Sequence, residues 1–248
     1  FIYTGFAITL KRSKTKIRNQ FSAEQAETVI LVGTENGSTL FFANQIHKQL
    51  LADGKVSFIA GMDQYRGYPK AQHLLVFTST YGLGDAPTNA VQFEHLLQKY
   101  PQVQNVQFSV IGFGSKAYPD YCAYAVRIDK LLERQKWASR FLVLHTVNDK
   151  SADEFVEWAH HWSEKSLTAL ATAPAVYNTE IAALKKLKVV SKTLVSDDNA
   201  TFKILLKPDS RLKFRSGDLL AIYPAGDNRE RFYSIGNDNG KIQLIVKL

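Results

Sequence analysis

From Thr28 onward the chain alternates short apolar runs with amphipathic stretches, and this rhythm leaves few folds open. Runs rich in Val, Ile, Leu or Phe occupy Thr28–Gly33, Val56–Ala60, His73–Ser79, Val106–Gly112 and Phe141–Thr146, each of strand length. Residues 38–51, 89–99, 119–135 and 152–167 carry helical apolar spacing. Strand, helix, strand in this order forces parallel pairing with a crossover, because a hairpin cannot join parallel neighbours. The prediction is an α/β unit: a doubly wound, five-stranded parallel sheet covered on both faces. Ligands of such sheets lie beyond the carboxyl ends of the strands. The loops after the first, third and fourth strands are therefore the ones to read for function.

Beyond residue 168 the pattern changes. Ala-Thr-Ala-Pro-Ala (171–175) reads as part of a linker over 169–184. Strand-like pieces follow at Lys188–Val195, Thr201–Leu206, Asp218–Tyr223, Arg231–Ile235 and Lys241–Leu248, separated by turn signals such as Asn237-Asp238-Asn239-Gly240. They predict a partial antiparallel β-barrel over 185–248. A chain of 248 residues, 45% hydrophobic and 22% charged, can bury two such cores. The single cysteine, Cys122, excludes a disulfide framework and a zinc site of paired cysteines.

The net charge of +8 suggests nucleic acid only until it is divided along the chain. Residues 1–19 carry +5, residues 20–170 carry −2 and residues 171–248 carry +5. No basic stripe with interleaved aromatics or a reading helix is present, so no nucleic-acid partner is expected. The first ten residues, FIYTGFAITL, are almost wholly apolar, and Lys11, Arg12, Lys14, Lys16 and Arg18 follow at once. Apolar residues stopping at a basic cluster are how a membrane helix ends on its cytoplasmic side. Residues 1–19 are therefore expected to be the end of a membrane helix and its juxtamembrane segment. The folded units that follow would then face the cytoplasm at the inner membrane, the alternative being a cytoplasmic protein.

The first loop, Thr34-Glu35-Asn36-Gly37-Ser38-Thr39, opens a helix with hydroxyls and backbone N–H groups but no Lys or Arg. A nucleotide triphosphatase would place a lysine here for the outer phosphates. A cradle without cations suits one terminal phosphate monoester, as on FMN. The second loop, Thr78 to Asn89, holds Thr80, Tyr81, Gly82 and Gly84. The third, Gly112-Phe113-Gly114-Ser115-Lys116-Ala117-Tyr118, also matches a loose dinucleotide-binding pattern. That fingerprint belongs after the first strand with an acidic residue about 20 positions on; here it follows the fourth strand and is discounted. One phosphate cradle and two tyrosines at one sheet edge fit a flat ligand held by its phosphate.

These motifs, GTENGST, TSTYGLGDAPTNA and GFGSKAYPDYC in this order, resemble the flavodoxin-like domain of diflavin reductases, the family of sulfite reductase flavoproteins and NADPH–haemoprotein reductases. The resemblance covers residues 28–167 and implies a flavodoxin-like domain over 25–168. It implies that Thr34, Glu35, Asn36, Gly37, Ser38 and Thr39 hold the FMN phosphate. Tyr81 and Tyr118 would flank the isoalloxazine beside Thr80, while Gly82, Gly84, Gly112 and Gly114 let backbone approach the ring. Leu83 stands where that family often has an acidic residue. Arg231-Phe232-Tyr233-Ser234 resembles the Arg-x-Tyr-Ser motif of ferredoxin–NADP reductase-type FAD domains, which implies Arg231 at the FAD pyrophosphate, Tyr233 on its ring and Ser234 near N5. The FAD site is expected to be incomplete in this chain. The apolar-then-basic start resembles bacterial PepSY-type membrane reductases.

The resemblance implies an oxidoreductase in which electrons pass from NADPH through FAD to FMN, then singly to a haem, metal-centre or protein acceptor. The 248 residues alone are not expected to oxidise NADPH. No catalytic acid, base or nucleophile is required, and no metal site is expected: His160 and His161 adjoin on one helix and face apart. Two other readings use the same topology. A response-regulator receiver needs acidic residues after the first strand and an aspartate ending the third, where this chain has Thr34 and Ser79-Thr80. A flavin-free interaction scaffold remains as the alternative.

Overall fold

The computed structural model describes residues 19–35, 37–178, 187–195, 200–209, 212–222 and 231–247. The chain divides into two compact units between Thr179 and Glu180.

In the first unit, strands β1 (Thr28–Gly33), β2 (Ser57–Gly61), β3 (His73–Ser79), β4 (Val106–Gly114) and β5 (Ala138–Arg140) form a parallel sheet in the order β2-β1-β3-β4-β5. Successive residues of a strand face opposite ways, and here both faces are apolar. Ile30, Val32, Leu75, Phe77 and Ile111 join one core with helices α1 (Ser38–Ala52) and α4 (Ala152–Ser166). Val29, Leu31, Leu74, Val76, Phe108 and Val110 join the other with α2 (Phe93–Lys99) and α3 (Ala123–Glu133). Rings pack closely on the α1–α4 face, with Phe42 and Phe155 centroids 4.7 Å apart. This is the doubly wound architecture expected, and every residue of β1 is buried.

Three departures have local causes. The fifth strand is split: β5 and β6 (His145–Asn148) both pair with β4, on either side of the Phe141–Leu144 stretch expected to be strand. β4 advances three residues from Phe108 to Ile111 while the edge advances five, from Arg140 to His145. The two extra residues bulge outward, so Phe141 is buried but Val143 is exposed. Helix α2 begins at Phe93 instead of residue 89, because Asn89 O accepts the Asp63 N–H (2.9 Å) and the Gln92 N–H is taken by Asp63 Oδ1 (2.7 Å). Helix α3 begins only after Cys122, which sits at φ 53°.

In the second unit, β11 (Gly236–Asp238), β12 (Lys241–Lys247), β8 (Thr201–Pro208) and β7 (Leu187–Leu194) form an antiparallel sheet in that order. β9 (Leu219–Ile222) and β10 (Arg231–Ser234) form a second antiparallel pair. Gly217 N–H to Ile235 O (2.8 Å) and Ile235 N–H to Asp218 O (2.9 Å) continue that pair beyond its strands, and Leu206, Ile235, Ile242 and Leu244 form the unit's core. No helix among the described residues is long and apolar enough to cross a membrane. Residues 1–18, on which the membrane expectation rests, lie outside the described residues.

Candidate functional site

At the carboxyl edge, the chain leaves β1 toward β2 on one side while β3 lies on the other, which opens a crevice between the following loops. A cleft of about 610 Å³ lies there, lined by Glu35, Ser38, Ser79, Thr80, Tyr81, Gly82, Gly114, Ser115, Tyr118, Asp120, Tyr121 and Cys122. This is the size of a cofactor site, typically ~300–1,000 Å³.

One wall is the opening of α1. Gly37 takes the left-handed conformation (φ 80°) at the helix start, and its N–H donates to Thr34 Oγ1 (2.9 Å). Among the described residues no side chain caps the first turn, which holds no acidic residue, so its N-terminal N–H groups and the positive end of the helix dipole are available to an anion. Helix α4 is the contrast: Ser151 Oγ accepts the Glu154 N–H (3.2 Å), and Asp153 and Glu154 occupy its first turn. Thr39 adds a buried hydroxyl with no partner among the described residues. Open N–H groups, an unused hydroxyl and Ser38 in the cleft wall fit a phosphate group.

The Glu35 side chain has a partner of its own. Its carboxylate lines the cleft and accepts the Thr88 N–H (3.0 Å). A carboxylate offers a phosphate no donor and repels its charge, so the Glu35 side chain fastens loops, and only its backbone N–H can serve a phosphate. Asn36 lies outside the described residues.

The second wall is a hairpin closed by reciprocal Tyr81–Asp85 bonds (N–H to O, 2.9 and 2.8 Å). Gly82 (φ 52°) and Gly84 (φ 101°) make the turn possible in a region that side chains disfavour. Leu83 projects at its tip, 86% exposed. Thr80 Oγ1 accepts the Tyr124 N–H (3.2 Å) at the start of α3. Tyr81 and Tyr118 are 53% and 56% exposed, both on the cleft. Lys116 N–H donates to Asn148 Oδ1 (2.8 Å), tying the third loop to the end of β6.

The structure thus brings Glu35, Ser38, Thr80, Tyr81, Gly82, Gly114 and Tyr118 to one cleft, with Thr34, Gly37, Thr39 and Gly84 behind its rim. Gly112 has a different task from the one expected. A Cβ there would lie 2.7 Å from Ala125 Cβ, so the glycine makes room for α3 and not for a ligand. In the second unit Tyr233 is half-buried against the Leu206–Ile242 core, while Ser234 is exposed. The side chain of Arg231 lies outside the described residues. The sequence reading missed Asn89, whose Oδ1 accepts the Thr34 N–H (2.7 Å) and whose Nδ2 donates to Val32 O (2.9 Å).

Cys122 closes the floor, buried, its thiol pushed up to about 12 by burial. The unfolded chain loses that proton first, near ~8.5, so this contribution to stability is full below that pH and is lost as pH rises toward about 12. Native protein at pH 8 is expected to resist iodoacetamide. Its urea midpoint should fall between pH 8 and pH 10 by more than that of Cys122→Ala; equal falls in both would count against the buried thiol.

An α/β module with a neutral helix opening and two exposed tyrosines around one cleft defines a binder of flat phosphorylated cofactors. Residues 30–162 match the family model described as flavodoxin, and the chain belongs to that family; FMN is its cofactor. The chain is 28% identical over 243 residues to NADPH oxidoreductase A of Dictyostelium discoideum, covering 87% of this chain and 38% of the relative. It is 25% identical over 263 residues to human NADPH–cytochrome P450 reductase, covering 86% and 38%. Over 115 residues it is 29% identical to the sulfite reductase [NADPH] flavoprotein alpha-component of Bacillus subtilis, covering 45% and 19%. The chain therefore spans at most 38% of the length of these relatives.

Proposed function

We propose that this chain is the FMN-binding electron-transfer module of an NADPH-dependent diflavin reductase, with residues 185–248 contributing to its FAD-binding unit. The observation that carries this reading is the cleft: an uncapped helix start and two exposed tyrosines converge at the switch point of the sheet. Similarity to three NADPH-named reductases supports it. Bound FMN supplies the redox chemistry, accepting electrons in pairs or singly and releasing them singly. The chain's part is to hold and shield. Ser38, Thr39 and the α1 N–H groups would bind the phosphate, Tyr81 and Tyr118 would cover the ring faces, and the Gly82–Gly84 hairpin would shape the cleft beside the ring. Arg231, Tyr233 and Ser234 serve the FAD pyrophosphate and ring. NADPH is the reductant and a haem or metal centre the acceptor. The N-terminal apolar segment with its basic cluster holds the flavin units on the cytoplasmic face of the inner membrane.

The test is a flavin titration of residues 20–248 followed by absorbance, with chromatographic identification of the bound flavin. About one equivalent of FMN is expected, with a rise in melting temperature as FMN exceeds its dissociation constant, ~2.7 kcal/mol at a 100-fold excess. A folded protein that takes up no flavin would favour the interaction scaffold. Membrane attachment is tested separately by carbonate extraction, which should release residues 20–248 from membranes but not the full chain.

A further inference from the structure

Two side chains outside the ring-covering pair join the phosphate loop to the second loop. Asn89 makes both amide bonds across 55 and 57 residues: Oδ1 accepts the Thr34 N–H and Nδ2 donates to Val32 O. Its own carbonyl accepts the Asp63 N–H (2.9 Å), which anchors the clasp to the body of the module. From the other side, Glu35 accepts the N–H of Thr88, the residue next to Asn89. Thr34 is thereby fixed at its backbone, and its Oγ1 can hold the Gly37 N–H that sets the start of α1. Without the Asn89 bond, the backbone that presents the α1 opening is free to turn. Glu35 performs its share with a negative charge in the cleft wall, three residues before the start of α1.

We propose that Asn89 and Glu35 are positioning residues that set phosphate recognition, Asn89 by shaping the cradle and Glu35 by clasping Thr88 while opposing the phosphate charge. The inference rests on the FMN reading. It predicts opposite effects from two substitutions. Asn89→Ala loses both amide bonds and should weaken FMN at least about ten-fold while weakening riboflavin, which lacks the phosphate, far less. Glu35→Gln keeps an acceptor for the Thr88 N–H and removes the charge, so FMN should bind several-fold tighter at low salt, with the gain shrinking as salt screens it. Asn89→Asp keeps the acceptor for Thr34 but adds a charge of the kind Glu35→Gln removes, so it should retain more FMN affinity than Asn89→Ala only at high salt, where that charge is screened.

The experiment measures FMN and riboflavin affinities by fluorescence quenching for the unsubstituted chain and the three variants. Exchange of the Thr34 amide proton is followed by NMR in the flavin-free proteins. The expected result is a lowered FMN-to-riboflavin preference in Asn89→Ala, a raised one in Glu35→Gln, and Thr34 protection lost in Asn89→Ala but kept in Asn89→Asp. The proposal is overturned if Asn89→Ala weakens both flavins by one factor, if Glu35→Gln leaves the preference unchanged or lower, or if Thr34 protection survives in Asn89→Ala. A folded unsubstituted chain that binds neither flavin overturns the FMN reading itself, and this proposal with it. Normal FMN binding with unmoved preferences overturns the proposal alone.

Discussion

Replacing Tyr81 and Tyr118 together by alanine is expected to lower FMN affinity on the order of 100- to 1,000-fold, while the flavin-free protein melts within a degree or two of the original. Each aromatic platform under a flat heteroaromatic ring is worth ~1–3 kcal/mol, and each 1.4 kcal/mol is about ten-fold. Both side chains are more than half exposed, so their removal opens no cavity, and such surface changes usually stay within ~0.5 kcal/mol. The hairpin that carries Tyr81 is closed by backbone bonds to Asp85, which alanine leaves in place. Phenylalanine at both positions keeps the rings and should recover most of the affinity. Loss of melting temperature in parallel with affinity would mean that the tyrosines support the fold instead of covering a ligand.

What the sequence makes legible follows the range of the interactions involved. β1 and β3 lie where their apolar runs place them, at Thr28–Gly33 and His73–Ser79, because both are buried on two faces and local composition decides them. The edge is different. Phe141-Leu142-Val143-Leu144 reads as strand, yet the edge has one neighbour and can hold two surplus residues as a bulge. The cleft residues Ser38, Thr80, Tyr81 and Tyr118 are legible because each sits in a loop directly after a strand of known place. The parts played by Glu35 and Asn89 are not, since their partners Thr88, Thr34 and Val32 lie 53 to 57 residues away. A polar residue in an anion loop suggests a ligand contact; only the fold shows that one of them is occupied by its neighbour.

Gly112 shows the same limit and leads to the second large effect. Gly112→Ala is expected to destabilise the flavin-free module by ~1–3 kcal/mol, the usual cost of forcing an atom into a packed core. Its Cβ would meet Ala125 Cβ at 2.7 Å, Cys122 Cβ at 3.1 Å and Cys122 Sγ at 3.3 Å, and both of those residues are fully buried. The strand cannot retreat, because Gly112 is paired with Thr78 on one side and Thr146 on the other. The strain must fall on α3, and with it on the Cys122 turn that forms part of the cleft floor. FMN affinity should therefore fall only as far as that turn is displaced, since a protein that stays folded keeps its intrinsic affinity. Ala125→Gly removes the closest atom at a helix cost of ~1 kcal/mol. In the Gly112→Ala background it is expected to restore stability, and a double-mutant cycle measures the coupling. Urea denaturation of the four flavin-free proteins decides the matter: an unchanged midpoint in Gly112→Ala, with FMN binding lost, would return this glycine to the role of making room for the flavin ring.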